Sequence, residues 1–195
     1  MSILAVKNNL KGWAAARWPF AGLLKARARD FVAATNVNSL FNPSDTLLSV
    51  GCGKGYVEPL LNVKKVVGMD LDNRPVTGIE FVAGDARKLL FGDKSFDWVM
   101  FMFVLHHIPR QDQQKALQEA KRVARKGLII VEDLPETPGL FDKLLNTELS
   151  GTHDFRNDEG WRQLFGQVGL KTEEDKLFEM RHLGVKLQHR FYVLK

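Results

Sequence analysis

Apolar runs alternate along this sequence with polar or helix-patterned segments, and each run has the length of one strand. Five runs are interpreted as buried strands: Thr46–Val50, Lys65–Asp70, 79–83, one strand within 94–105, and 128–134. The run "KSFDWVMFMFVL" at 94–105 is the most continuously hydrophobic, which is typical of a central strand in a parallel sheet.

The segments around these runs carry helical or edge-strand patterns. Apolar spacing predicts helices over residues 10–35, 55–61, 111–125 and 157–170. We expect Pro19 to break the first of these helices and Gly127 to end the third. The segments 171–180 and 187–195 are interpreted as an antiparallel pair at the sheet edge. The alternation predicts an α/β protein whose parallel sheet is covered on both faces.

Length and composition set the broad class. The chain has 195 residues, 45% of them hydrophobic, which suits one domain over 1–195 with residues 1–40 as a helical lid and 44–195 as the core. The single cysteine excludes a disulfide framework and a cysteine-based zinc site, and we expect a cytoplasmic protein. No segment of the sequence reads as a membrane span.

The charge is concentrated early in the chain. The net charge is +5, and six Lys or Arg with no acid occur from Met1 to Arg29. Such a segment can contact phosphate or a membrane surface, although a solvated helix face is the simpler interpretation.

Three glycines follow the first predicted strand in "LLSVGCGKGYVEPLL", at positions 51, 53 and 55. A dinucleotide fingerprint would need a further glycine at position 56, which is Tyr56, and no G-K-[ST] of a P-loop occurs. The spacing therefore indicates close backbone approach to a ligand without a phosphate cradle. A dinucleotide oxidoreductase is the least favoured function.

Acids follow the next two strands. Asp70 and Asp72 end the second strand, and Asp85 follows the third. Ligands of parallel sheets bind beyond the carboxyl ends of the strands, where a carboxylate accepts hydrogen bonds from a ribose diol or an adenine amino group. The three strand ends together predict a nucleoside site.

The ordered set of motifs resembles the class I S-adenosylmethionine-dependent methyltransferases of the small-molecule type. The matching stretches are "LLSVGCGKG" (47–55), "VVGMDLD" (66–72), "FVAGDARKLLFGDKSFDWVMFMFVLHHI" (81–108) and "EAKRVARKGLIIVED" (119–133). The resemblance implies a Rossmann-like three-layer sandwich with a seven-stranded, mostly parallel sheet and an antiparallel C-terminal strand. It also implies S-adenosylmethionine as the cofactor.

The resemblance also assigns a cofactor site. The glycines pass under the methionine part of the cofactor, Asp70 holds the ribose, and Asp85 with Ala86 reads the adenine. The implied set is Gly51, Cys52, Gly53, Gly55, Asp70, Leu71, Asp85, Ala86, Met102 and Phe103. Two departures stand out: Ser49 occupies a position that is usually acidic and orients the methionine amine, and the link from Asp70 to Ile79 is short. Both departures predict a weaker or more open cofactor site.

Candidate chemistry beyond the cofactor centres on His106 and His107, just past the fourth strand. Either can serve as a general base near neutral pH, and a purely structural role is the alternative. Glu132 and Asp133 can orient a substrate or bind a metal ion, and a capping or solvated pair is the simpler interpretation. His153, Asp154 and Arg156 form a polar cluster ahead of the last helix. We expect no metal site.

The sequence thus predicts methyl transfer from S-adenosylmethionine to an unidentified small-molecule acceptor. A lipophilic acceptor is a hypothesis, based on the basic N-terminus that carries Trp13 and Trp18. Two alternatives stay open. The positive charge suggests an RNA methyltransferase, although nucleic acid is the less favoured partner. Ser49 suggests an inactive cofactor-binding or partner protein.

Overall fold

The computed structural model describes residues 20–73, 76, 78–134, 154–182 and 185–195. Its strands are β1 (Thr46–Val50), β2 (Lys65–Asp70), β3 (Glu80–Ala83), β4 (Phe96–Met102), β5 (Ala124–Asp133), β6 (Thr172–His182) and β7 (Val185–Leu194). The α-helices are α1 (Phe20–Thr35), α2 (Gln113–Val123) and α3 (Asp158–Gln167). Short 3-10 turns cover Val37–Leu40, Glu58–Leu60 and Leu105–His107.

The strands form one seven-stranded sheet in the order β3-β2-β1-β4-β5-β7-β6. The first five strands are parallel, and β7 runs antiparallel to both β5 and β6. This confirms the predicted fold class, including the antiparallel C-terminal strand. The predicted edge pair exists, with β7 inserted between β5 and β6.

Two hydrophobic layers cover the sheet. In β4, Val99 and Phe101 face one core with α2 and α3, whereas Trp98 and Met100 face the other core with α1. This alternation places helices on both faces, so the three-layer sandwich follows from the period-2 pattern of the strands.

Some predicted boundaries were wrong. The helix expected over 55–61 is only the 3-10 turn Glu58–Leu60, and α2 ends at Val123 rather than near Gly127. Gly127 instead lies inside β5, where a Cβ would overlap the carbonyl oxygen of Leu194 on β7. Pairing with neighbouring strands therefore replaces the last predicted turn of the helix.

The carboxyl ends of β1, β2 and β4 lie side by side, because β1 pairs in parallel with both other strands. The glycine turn, Asp70 and the segment after Met102 thus meet at one edge of the sheet. None of the described helices combines the length and apolar character that a bilayer crossing requires. Residues 1–19 of the predicted lid, with Pro19, Trp13 and Trp18, lie outside the described residues.

Candidate functional site

The glycine turn after β1 is held between the two neighbouring strand ends. The backbone N–H groups of Gly51 and Cys52 both donate to the carbonyl oxygen of Met69, at 2.7 and 3.1 Å. Gly51 has a φ of 70°, and a Cβ there would overlap the side chain of Val104. Only glycine accommodates both the left-handed backbone and the close packing.

Gly53 and Asp70 form the open part of the turn. The Gly53 N–H donates to Oδ2 of Asp70 at 3.0 Å, and the Asp72 N–H donates to Oδ1 at 3.0 Å. A Cβ at Gly53 would meet nothing within 4 Å, so this glycine borders open space. Each Asp70 oxygen retains a further lone pair that can accept a hydrogen bond from a diol.

Two cavities adjoin this turn and share Lys54, Gly55 and Tyr56. The larger holds about 720 Å³ and is lined by Asp70, Asp72 and Gly53, together with Lys25 and Arg29 of α1. The smaller holds about 170 Å³ and is mostly apolar. Its other lining residues are Ala28, Phe31, Cys52, Val57, Glu58, Met102, Phe103 and Met180.

Glu58 is a buried acid on the wall of the smaller cavity. Its side chain is buried, with 3% of the residue exposed, and Oε1 accepts a hydrogen bond from the Ser49 hydroxyl at 2.6 Å. Oε2 has no hydrogen-bond partner. Burial raises the pKa of the Glu58 carboxyl above its ordinary value.

Cys52 faces the same cavity as a neutral thiol. Burial, with the charges of Glu58 and Asp70, raises its pKa to about 12. A thiol in this state is a poor nucleophile at neutral pH, which argues against covalent catalysis through Cys52.

The predicted adenine side is arranged differently from the glycine turn. Both carboxylate oxygens of Asp85 accept hydrogen bonds from the Arg87 guanidinium, which holds the pKa of Asp85 below its usual value. Ala86 is packed in the core, whereas Leu71 is 74% exposed beside Asp70. An exposed leucine at this edge is available to cover an aromatic base.

His106 and His107 differ sharply in environment. His106 is buried, and its Nδ1 lies 2.6 Å from Oε2 of Glu132, whereas His107 is exposed. Burial alone would lower the pKa of His106, but the hydrogen bond to Glu132 and its charge raise it overall. Oε1 of Glu132 accepts the N–H groups of Val104 and Leu105 at 3.2 and 2.7 Å. His106 and Glu132 thus fix the turn that follows β4.

The predicted polar cluster supports the same turn. The buried Gln113 donates to the carbonyl oxygens of Leu105, Ile108 and Asp154, and accepts a hydrogen bond from Arg156 at 2.6 Å. His153 lies outside the described residues. The helix that follows is capped by Asn157, and Asp158 in its first turn accepts a hydrogen bond from Tyr192.

The structure brings together most of the residues predicted from sequence at one sheet edge. Gly53, Gly55 and Asp70 line the larger cavity, and Cys52, Gly55, Met102 and Phe103 line the smaller. Sequence reasoning missed Glu58, Gln113 and His189, the last of which pairs with Asp133 at 2.6 Å and packs on Phe103. None of the three belongs to a recognisable motif.

The described residues fit S-adenosylmethionine. The open space at Gly53 admits a ligand against the backbone, Asp70 offers carboxylate oxygens for a diol, and Glu58 supplies a buried carboxylate oxygen without a partner. A ligand with a ribose and a positive charge matches these hydrogen-bond acceptors.

Comparisons with known proteins agree with this geometry. A family described as "Methyltransferase domain" matches residues 48–131. A protein of Encephalitozoon cuniculi whose name assigns it to the methyltransferases is 30% identical over 172 residues, covering 82% of each chain. Phosphatidylethanolamine N-methyltransferase of Cereibacter sphaeroides is 28% identical over 181 residues, covering 85% of this chain and 84% of its own.

Solved structures share the fold. A S-adenosylmethionine-dependent methyltransferase of Thermotoga maritima superimposes with a TM-score of 0.70 at 19% identity, over 96% of each chain. The chain belongs to the class I S-adenosylmethionine-dependent methyltransferases, and S-adenosylmethionine is its cofactor.

Proposed function

We propose that this methyltransferase acts on a lipophilic small molecule. The observation that carries the proposal is the wall of the smaller cavity, where Phe31, Phe103 and Met180 converge from α1, the β4 turn and β6. An acceptor that reaches the methyl group along this wall meets apolar and aromatic side chains, which favours an apolar body over a charged one.

The position of α1 supports the predicted lid. Phe31 of α1 packs against Phe178 of β6 with ring centroids 6.1 Å apart, and Lys25 and Arg29 border the larger cavity. A helix in this position can separate the reacting groups from water while its basic residues face a polar headgroup. Residues 1–40 are therefore proposed as a lid over the core formed by residues 44–195.

Each part of the site has a separate role in the proposed reaction. The cofactor, when bound, supplies an activated methyl group. The glycine turn and Asp70 orient the nucleoside, while Met102 and Phe103 shield the methyl-bearing end from water. His106 and Glu132 position Phe103 by fixing its turn, so we assign His106 a positioning role.

One relative points the same way. The Cereibacter sphaeroides protein is named for a phospholipid substrate with a primary amine, and the match covers most of both chains. That name supports a lipid-like acceptor here and leaves the methylated atom open. A cytoplasmic location, expected from the sequence, also remains a prediction.

The test is methyl transfer from tritiated S-adenosylmethionine to a panel of acceptors. The panel contains phosphatidylethanolamine vesicles, a long-chain fatty acid and a quinol in micelles, with phosphatidylcholine vesicles as a fully methylated control. We expect label in the organic phase with one lipophilic acceptor. Histamine and bulk tRNA are added to the panel as polar acceptors, and label in these alone would contradict the proposal. No label with any acceptor despite cofactor binding would favour a binding protein.

A further inference from the structure

Glu58 lies outside every recognised motif, yet it is a buried acid whose side chain is only partly hydrogen-bonded. Its carboxylate is buried, and only Oε1 has a hydrogen-bond partner, the Ser49 hydroxyl. Among the described residues no Lys, Arg or His forms an ion pair with it. A buried carboxylate oxygen without a partner is costly, so such a group points to a ligand that completes it.

The surroundings of Glu58 restrict what that ligand can be. Among the described residues, Glu58 is the one acid on the wall of the smaller cavity, and its neighbours there include Cys52, Phe31 and Met102. None of these three side chains is positively charged, and the thiol of Cys52 is held neutral. Lys54 also lines this cavity, but it is exposed and forms no ion pair with Glu58. The missing partner is therefore a cation that enters the cavity from outside the protein.

S-adenosylmethionine carries two positive charges, on the sulfonium and on the α-ammonium group. The sulfonium charge disappears when the methyl group leaves, so a carboxylate placed against it would stabilise the ground state and slow the reaction. The ammonium charge persists in the product and has N–H groups for a hydrogen bond. The ammonium group is thus the better partner for a fixed carboxylate.

We propose that Glu58 pairs with the α-ammonium group of the cofactor, with Ser49 orienting the carboxylate. The acid that the family usually places at position 49 is then supplied nine residues later, from the turn Glu58–Leu60. Ser49 keeps a role because its hydroxyl occupies Oε1 and leaves Oε2 for the ligand. A bound ammonium would also stabilise the ionised form, which burial alone disfavours.

The inference rests on the cofactor of the family and not on the identity of the acceptor. Its test is therefore calorimetric binding, which needs no turnover. The ligands are S-adenosylhomocysteine, S-adenosylmethionine and 5′-methylthioadenosine, which lacks the amino-acid part. The variant is Glu58→Gln, which retains the size of the side chain and its hydrogen bond to Ser49. Glu173→Gln, at an exposed carboxylate, is the matched control.

For Glu58→Gln we expect binding of S-adenosylhomocysteine and S-adenosylmethionine to weaken roughly 10- to 100-fold, with 5′-methylthioadenosine unaffected. Glu173→Gln should match the wild type with all three ligands. Unchanged affinity for S-adenosylhomocysteine would overturn the proposal. Loss confined to S-adenosylmethionine would also overturn it, by placing Glu58 against the sulfonium.

A charge exchange provides the second variant. Ser49→Asp combined with Glu58→Ser moves the carboxylate to the position usual in the family. We expect this double variant to recover most of the affinity that Glu58→Ser alone loses. If Glu58→Gln fails to fold, the double variant decides: a folded double variant with affinity as low as that of Glu58→Ser would overturn the inference.

Discussion

Two turns at the same edge of the sheet use their polar groups in opposite ways. The turn after β1, residues 51–58, leaves Oε2 of Glu58 without a partner and Gly53 against open space. The turn after β4, residues 103–107, has its polar groups engaged, since Glu132 accepts from two backbone N–H groups and pairs with His106. Both turns follow buried parallel strands.

The difference separates a binding surface from its support. A buried polar group without a partner in the protein leaves room for an outside partner such as a ligand or a water molecule, whereas a fully satisfied network adds rigidity and specifies one geometry. By this criterion we propose that the β1 turn recognises the cofactor and that the β4 turn holds the wall of the cavity in place. Two turns that each follow a buried parallel strand therefore receive different roles.

Disrupting the His106–Glu132 pair in the turn after β4 should have the largest effect on the free energy of unfolding. His106→Ala leaves the buried Glu132 without its charged partner, and we expect the free energy of unfolding to fall by about 3–5 kcal/mol. His107→Ala, at the exposed neighbour, should change it by less than about 1 kcal/mol. Urea unfolding followed by circular dichroism measures both. Equal effects of the two variants would contradict the distinction between the histidines.

A substitution at the proposed cofactor site should reduce affinity for the cofactor rather than the stability of the fold. Asp70→Ala removes both carboxylate oxygens that face the larger cavity and the hydrogen bond from Gly53. We expect S-adenosylhomocysteine to bind roughly 100-fold more weakly, because hydrogen bonds to a charged group are lost. Calorimetry measures this, with the exposed Asp93→Ala as control. Tight binding by Asp70→Ala would remove Asp70 from the site.

Gly51 and Gly53 lie in the same turn but have different surroundings. Gly51→Ala places a methyl group against Val104 and strains a φ of 70°, so it should cost stability, more than about 2 kcal/mol. Gly53→Ala has a φ of 54° but open space, so it should cost only about 1–2 kcal/mol. Because its methyl group enters the cavity, Gly53→Ala should weaken cofactor binding more than it lowers the melting temperature. The opposite order would show that Gly53 does not face the ligand.

The smallest expected effect is the pH dependence of the His106–Glu132 pair. Because the pKa of His106 is raised in the folded protein, the pair stabilises fully below about pH 6.5 and weakens as pH rises through the folded pKa. The difference in free energy of unfolding between wild type and His106→Ala should therefore be larger near about pH 6 than near about pH 9. A difference that grows with pH would instead show that Glu132, whose pKa burial raises, dominates the pH dependence by ionising unpaired in the variant.

The architecture could be predicted from the sequence, because the strands and their order along the chain follow from local patterns of apolar residues. Thr46–Val50 and Lys65–Asp70 have the predicted bounds, and Asp70 lies at the predicted strand end. The prediction that Gly127 ends a helix was wrong. The pairing of β5 with β4 and β7 is a non-local interaction, and it outweighs the local helix signal.

The chemistry of Glu58 could not be predicted from the same patterns. It stood inside an expected helix over 55–61, where a glutamate is ordinarily a solvated residue, and Pro59 is equally compatible with a helix start. Its burial depends on the packing of the glycine turn against α1 and β4, which no local pattern encodes. The sequence shows that position 49 lacks the usual acid, but it does not show that Glu58 could take the place of that acid.

The insertion of β7 between β5 and β6 has a consequence for biosynthesis. Among the described strands β6 pairs only with β7, so residues 172–182 leave the ribosome before any strand can receive them. Until β7 follows, Phe178 and Met180, which are buried in the folded protein, stay exposed on an unpaired edge. The nascent chain can therefore complete this edge of the sheet only after β7 has emerged.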